Sequence, residues 1–302
     1  MRISTSLLYQ RGVNSINDQQ STLSSTQTQL STGERLQAPS DDPFAATRIV
    51  ALDEKEKALD QYQRNANVAT LRLEQEEVAL TGVVNTLQRL SELAIQGANE
   101  SLTAPDREAL SFEAFQLVES LLQLSNTVDA SGEYIFSGDK TDTVTYEEGP
   151  QGTFSYKGDH GQRLLQIGSS REVAVGDSGY SVFENIPVTA GGTKNIMEIA
   201  YDFADALATD NSANISDSIG DIRASLLQIS TKRSVIGGRI NAIESEVNAN
   251  ESFSLLIVKN RSDLADLDYA EAISRFQQEL AGLQAAQQSF VQIQNLSLFN
   301  YL

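Results

Sequence analysis

From residue 43 to residue 99 the chain carries one almost unbroken apolar seam, and nothing else in the 302-residue sequence limits its fold so tightly. Leu52, Leu59, Tyr62, Ala66, Ala69, Leu73, Leu80, Val83, Leu87, Leu90 and Ala94 fall at steps built from three and four, the spacing that puts side chains on one face of an α-helix. Asp42 followed by Pro43 supplies an oxygen acceptor and a fixed φ, the pair that starts a helix well. At 1.5 Å per residue such a helix runs to about 85 Å. No compact globule of this chain length contains it, so the seam predicts an elongated bundle whose other helices cover its apolar face.

The rest of the chain supplies those partners. "TAPD" at 103–106 opens a second seam through Leu110, Ala114, Leu117, Leu121, Leu124 and Val128, closed by Gly132, and two such helices joined by a short turn make a hairpin of rods. From 133 to 188 the period changes. "EYIFSG", "VTYEEG", "GTFSYKGD", "RLLQIG" and "REVAVGD" are short β-branched or aromatic runs between Gly, Asp and Pro, which predicts a β-rich insert of roughly 55 residues. Helical periodicity returns at "NIMEIAYDFADALATD" and again after Ser216, continuing to the C-terminus with a soft point at Gly237 and Gly238. The expected fold is mainly α with a small β-rich insert: long antiparallel coiled-coil helices from both chain ends, and the β domain at the far end. The expected divisions are terminal assembly helices at 1–41 and 263–302, a helical rod at 42–136 and 193–262, and a β-rich outer domain at 137–192.

The terminal helices have poorer seams. Near the N-terminus Tyr9, Val13, Ile16, Leu23 and Leu30 keep the register only with Gln20 and Gln27 at the missing steps, and the residues around them are mostly Ser, Thr, Gln and Asn, which favour helices weakly. Near the C-terminus Ile273, Phe276, Leu280, Leu283, Phe290, Ile293, Leu296 and Phe299 form a seam with Gln287 inside it. Isolated helices take most of their stability from packing, so both segments are expected to order against a partner and to fray in the monomer. The candidate assembly residues are Ile3, Leu7, Leu8, Ile16, Leu23 and Leu30 at one end, with Phe290, Ile293, Leu296, Leu298, Phe299, Tyr301 and Leu302 at the other. The competing reading is an intramolecular core. Between the weak and strong seams lies a joint, in which Gly33 ends the first helix in a left-handed residue and Asp42 and Pro43 start the next. Arg35, Asp41 and Asp42 are its candidate pairing residues, with solvent exposure as the alternative.

Charge and composition exclude whole classes of function. A formal net charge of −19 opposes binding to a phosphate backbone or an anionic membrane. No run approaches the roughly 18 apolar residues of a membrane span. The absence of Cys excludes thiol catalysis, disulfides and thiolate metal sites, and the single histidine, His160, excludes a multi-histidine site. "GDSG" at 176–179 matches the nucleophile loop of chymotrypsin-like proteases, but its only possible base is His160, sixteen residues upstream on another Gly-rich turn, so it is read as a turn. "DNSANISDSIGD" at 210–221 has the acids of a calcium loop without its sixth-position glycine, which is Ile215 here. Nothing places a base, a nucleophile and an electrostatic stabiliser together, so neither an enzyme nor a cofactor or metal site is expected. The start "MRISTSLLYQRG" lacks the apolar core of a cleaved signal peptide, which predicts a cytosolic chain or one exported by another route.

Two terminal segments carry a family resemblance. "LSTGERLQAPSDDPFAATRI" at 30–49 resembles the N-terminal signature of the flagellin family, a Leu-Ser-x-Gly-x-Arg run leading through a loop to an Asp-Asp doublet and a long helix. "RSDLADLDYAEAISRFQQELAGLQAAQQSFVQIQNLSLFNYL" is similar to the family's other terminal signature, and together the likeness covers 1–136 and 195–302. Pro43 after the doublet, the ending "LSLFNYL" and the start "MRIST" resemble the family's hook–filament junction branch more than its filament subunit. The resemblance implies an extracellular structural protein of the bacterial flagellum, exported by the type III route as a poorly folded chain and joined into a ring at the hook tip on which flagellin polymerises. The partners it implies are further copies of itself, the hook protein and another hook-associated protein, flagellin, and an export chaperone, with no nucleic acid and no membrane insertion. A filament flagellin, or an exported coiled-coil translocator or scaffold, stays open at this stage.

Overall fold

A computed structural model of the chain describes residues 5–295. The helices are α1 (Thr5–Thr32), α2 (Pro43–Gly97), α3 (Ala104–Ser125), a short α4 (Gly179–Phe183), α5 (Ile196–Ala208), α6 (Ser212–Ala265) and α7 (Tyr269–Asn295). Six short strands, β1 (Tyr146–Glu148), β2 (Phe154–Tyr156), β3 (Leu164–Gln166), β4 (Glu172–Ala174), β5 (Ile186–Pro187) and β6 (Thr193–Lys194), lie between α3 and α5. They pair consecutively as three two-stranded antiparallel ribbons. Their registers set Tyr146 opposite Tyr156, Leu165 opposite Val173 and Ile186 opposite Lys194. The chain divides into two compact units, one formed by Met1–Ala58 with Ser252–Leu302 and the other by Leu59–Glu251.

In the second unit the core follows a seven-residue repeat. Ile215, Ile222, Ile229, Ile236 and Ile243 are buried at every seventh position of α6, and Ala66, Leu73, Leu80, Leu87 and Ala94 repeat the same interval along α2. These residues join Leu121 of α3 and Phe203 and Leu207 of α5 in one continuous apolar cluster. A strict heptad of buried aliphatic side chains is the pattern that seats long helices against one another. Arg107 on α3 closes the end of α2: its Nε and Nη2 donate to the Gly97 and Asn99 carbonyls at 2.9 and 3.1 Å, and its Nη1 meets Asp210 at 2.5 Å. The helix starts are capped as their sequences demand. The Asp106 carboxylate accepts the Thr103 N–H at 3.0 Å, and the Asn195 side-chain oxygen accepts the Glu198 N–H at 2.8 Å.

Polar side chains on the helices tie the strand-bearing insert down. Asn250, one heptad beyond Ile243 and also buried, donates to the Ile167 carbonyl at 2.9 Å. Asn65 of α2 reaches the Gln166 carbonyl at 2.7 Å, and Gln228 of α6 donates to the carbonyls of Val182 and Glu184 at 2.9 and 2.8 Å. Inside the insert Phe136, Tyr146 and Phe183 are buried edge to face, with ring centroids 5.0 and 6.1 Å apart.

Several sequence expectations change. α3 ends at Ser125, so Val128 leaves the helical seam and bridges to Tyr134 instead. "EYIFSG" forms no extended strand, because the Tyr134 N–H turns back to the Thr141 carbonyl at 2.8 Å and Ile135 bonds Thr127 at 3.1 Å. Gly237 and Gly238 cause no break and sit inside the 54 residues of α6, where tertiary packing outweighs their weak propensity. The C-terminal helical pattern is interrupted instead at 266–268, where Asp268 caps α7 by accepting the N–H groups of Ala270 and Glu271 at 2.9 and 3.2 Å.

The heptad core makes a paired test. Ile229→Ala, at a fully buried position, is expected to cost about 2–5 kcal/mol of unfolding free energy in a denaturant titration followed by circular dichroism. Leu227→Ala, on a residue 70% exposed two positions away, is expected to stay within about 0.5 kcal/mol of the parent.

Candidate assembly interface

The unit that carries both chain ends is built on α1 and α7, which run antiparallel. Tyr269 meets the backbone at Gly33, Gln19 lies beside Gly282, and Phe290 packs on Gly12. The facing stripe of α7 is Ala272, Phe276, Glu279, Leu283, Ala286 and Phe290, at alternating steps of four and three. That of α1 is Val13, Ile16, Gln19, Leu23, Thr26 and Leu30. The seam is thin. Only Ala272 and Thr26 are buried among these twelve, the others being half-covered. Two of its polar atoms, Gln19 Oε1 and Glu279 Oε2, are buried without a hydrogen-bond partner among the described residues. Phe290 closes it with an aromatic contact to Tyr9 at 5.0 Å between centroids, and a side chain at Gly12 would come to 2.8 Å of that ring.

The joint is a set of backbone bonds joining two interruptions. Gly33 has φ +77°, and its carbonyl accepts the Leu267 N–H at 2.9 Å. The Arg35 N–H bonds the Ala265 carbonyl at 2.7 Å, while its guanidinium donates twice to the Leu264 carbonyl, at 3.2 Å from Nε and 2.8 Å from Nη2. A cation on the last carbonyls of α6 satisfies orphan acceptors and complements the negative end of the helix dipole. Asp41 accepts the N–H groups of Gln37 and Ala38 at 3.1 and 3.0 Å, and Asp42 caps α2 through the Ala45 N–H at 3.0 Å. Arg35 and Asp42 lie 3.6 Å apart, a partly exposed pair worth little by itself. Pro43 opens α2 as its first residue.

The candidate interface residues separate into groups. Ile16, Leu23, Leu30 and Phe290 are half-buried and meet within the chain, in the α1–α7 seam. Leu7 is exposed. Leu8 and Ile293 lie on α1 and α7, their side chains outside the described set, and Ile3, Leu296, Leu298, Phe299, Tyr301 and Leu302 lie outside the described residues. The C-terminal seam, a single row in sequence, splits in space: Phe276, Leu283 and Phe290 turn to α1, whereas Ile273 and Leu280 remain 47% and 39% exposed. Further exposed apolar residues were hidden in an interior position of α6. Phe253, Leu255, Leu256 and Val258 are exposed on different sides of that helix, Leu255 by 72%. Their signal was the uncharged run "SFSLLIV", whose apolar residues keep no single face. The same lack of charge marks the terminal helices. From Leu280 to Asn295 there is no Asp, Glu, Lys or Arg, and Asp18 is the one such residue between Gly12 and Gly33, in a chain that is 21% charged.

Comparison with known proteins gives the family and agrees with the fold. Residues 3–141 match the bacterial flagellin N-terminal helical region and residues 219–302 the bacterial flagellin C-terminal helical region. Flagellar hook-associated protein 3 of Escherichia coli (strain K12) is 30% identical, with 99% of each chain covered. The chain belongs to the flagellar hook-associated protein 3 family. The fold agrees with that of the flagellar junction protein FlgL from Legionella pneumophila, at a TM-score of 0.64 and 21% identity over 72% of this chain and 99% of that one. Phase 1 flagellin of Salmonella naestved is 33% identical over only 45% of this chain and 26% of its own length. Likeness to the filament subunit is therefore confined to part of the chain, while likeness to hook-associated protein 3 runs through the insert. Among the described residues no helix is long and apolar enough to cross a membrane, and no cluster of His, Cys, Asp and Glu could hold a metal ion.

The joint can be tested apart from assembly. Gly33→Val puts a β-branched residue at a left-handed position, with its Cβ 2.8 Å from the Tyr269 hydroxyl, and is expected to cost about 1–2 kcal/mol locally. Limited proteolysis is expected to cut faster within 33–42, while the main thermal transition, carried by the core of the second unit, stays where it was.

Proposed function

We propose that this chain is a structural subunit of the bacterial flagellum that forms the junction between hook and filament, where copies of it make a ring at the hook tip and flagellin polymerises on that ring. The observation that carries the reading is the full-length match to hook-associated protein 3, with nearly all of both chains covered. The physical route to assembly starts from charge. Two copies of a chain of net charge −19 repel each other, so they meet best through surface free of like charge. The charge-poor stretches of α1 and α7 provide it, with Val291 exposed inside the uncharged run of α7 and Leu280 at its edge, while Ile273 and Leu7 are exposed beside a few charged side chains, Glu271 with Arg275 and Arg11. Charge depletion with apolar anchors is the composition of an interface centre. The thin α1–α7 seam then gains its missing burial from neighbouring copies, so that the chain ends order as the ring forms.

On this reading the hook protein and another hook-associated protein lie on one side of the ring and flagellin on the other. An export chaperone holds the chain before secretion through the flagellar type III apparatus, which delivers it outside the cell without a cleaved signal peptide. The role is mechanical, and no catalytic group is required. The terminal residues Ile3, Leu296, Leu298, Phe299, Tyr301 and Leu302 extend the same assembly surface.

A strain deleted for this chain is expected to be non-motile and to release unpolymerised flagellin into the medium; normal filaments in that strain would overturn the proposal. The interface itself is tested by Ile273→Gln with Leu280→Gln. Both positions are exposed, so the monomer's thermal transition is expected to move by no more than about 0.5 kcal/mol equivalent, while the variant fails to restore filaments. Full complementation by the double variant would remove this face of α7 from the interface.

A further inference from the structure

One side chain breaks the apolar repeat of α2. Ala69, Val83 and Leu90 are buried at heptad spacing on that helix, and the position between Ala69 and Val83 is Glu76. It is 1% exposed, and neither carboxyl oxygen has a hydrogen-bond partner among the described residues. The Asp177 N–H faces it without meeting hydrogen-bond geometry. Glu76 lines a cavity of about 30 Å³ shared with Arg72, Asp129, Arg163 and Asp177, so that α2, the segment after α3 and the insert all converge on it.

The cations around it are already engaged. Arg239 of α6 binds Asp177 bidentately, at 3.0 and 3.1 Å, and Asp177 also accepts Gln162 Nε2 at 2.7 Å. Arg72 takes Glu133 at 2.8 Å and Asp129 at 3.8 Å, and Arg163 stands 3.9 Å from Glu133. Lys232 of α6 acts on Glu76 only from a distance, and the neighbouring Glu77 is held by Arg233 at 2.5 Å. Four carboxylates thus converge on three guanidiniums, and Glu76 is the one left with neither an ion pair nor a hydrogen bond among the described residues. The charge of Arg239, already committed to Asp177, favours its ionised form more than that of Lys232 does, and burial outweighs both. An ionised carboxylate buried in that position is strongly disfavoured, and the simplest relief is a proton.

We propose that Glu76 is held as a neutral carboxylic acid in the folded protein, and that its proton is a structural ligand that keeps the strand-bearing insert docked on α2 and α6. The site gives the "GDSG" turn its role. Asp177 of that turn is the insert's anchor to Arg239, and an ionised Glu76 would repel it across the same cavity. Burial first, and then the charge of Asp177, push the Glu76 acid up to about 8. Because the folded value lies above the unfolded one, the folded state binds the extra proton between roughly pH 4.5 and 8, so stability falls as pH rises through that window and the loss is complete above it.

The test compares the full chain with Glu76→Gln, a neutral isostere of the protonated acid, by thermal unfolding from pH 5 to 9.5. The parent midpoint is expected to drop through the window, whereas Glu76→Gln should flatten the profile and melt several degrees above the parent at pH 9. Carboxyl-carbon NMR, with the Glu76 resonance assigned from the variant, is expected to show titration near 8. Hydrogen exchange within 176–183 is expected to accelerate with pH more in the parent than in Glu76→Gln. Parallel melting profiles, or a Glu76 resonance ionised by pH 6, would overturn the proposal.

Discussion

The five isoleucines of α6, one in every seven residues, are the constraint on which the second unit depends. A side chain repeated at that interval stays on one side of a helix over many turns, so α6 can bury an apolar edge along the facing row of α2 without turning it to solvent. Once that row is fixed, the positions in register with it become valuable for other work. Asn250 continues the isoleucine row and spends its amide on the backbone of the insert, and Glu76 occupies a core position of α2 beside the insert's Asp177. The insert, with strands of only two or three residues, has little sheet of its own to stand on. Its order comes from helix side chains reaching its carbonyls and from a small aromatic core.

The unit at the chain ends is organised differently. Its α1–α7 seam has heptad spacing but mixed chemistry, with Gln, Thr and Glu at positions that would hold aliphatic residues in a self-sufficient coiled coil. The joint compensates with main-chain bonds, which demand little of the sequence beyond Gly33 and a cation at Arg35. On the assembly proposed above, the charge-poor stretches of α1 and α7 follow the same logic in an acidic chain: where a surface is to meet copies of itself, removing charge is as important as adding apolar area.

The long seam, the Asp42–Pro43 start, the capped start of α3 and the left-handed Gly33 were all legible because each rests on local chemistry within a few residues. The second interruption at 266–268 was not, since its only local mark is Asp268 and the pattern on either side remains helical. Gly237 and Gly238 misled for the opposite reason: their local preference is real but small beside the packing of a 54-residue helix. The seven-residue step from Leu73 to Leu80 passes over Glu76, but an acid at one such step reads equally well as a solvated side chain. That it is buried without a partner required the insert to be folded over it.

The division of the C-terminal seam shows the same boundary. Sequence by itself determined that Ile273, Phe276, Leu280 and Leu283 lie on one flank of a helix, because 3.6 residues per turn fixes their angles. It determined the long helices, the change to short strands between them, and the family. Tertiary structure alone decided that Phe276 and Leu283 are turned to α1 while Ile273 and Leu280 are left outside, and that Asp177 from a Gly-rich turn meets Arg239 62 residues later. The physical reason is range. Periodicity and caps act over one or two turns, whereas burial and the neutralisation of charge depend on which distant segments share a site.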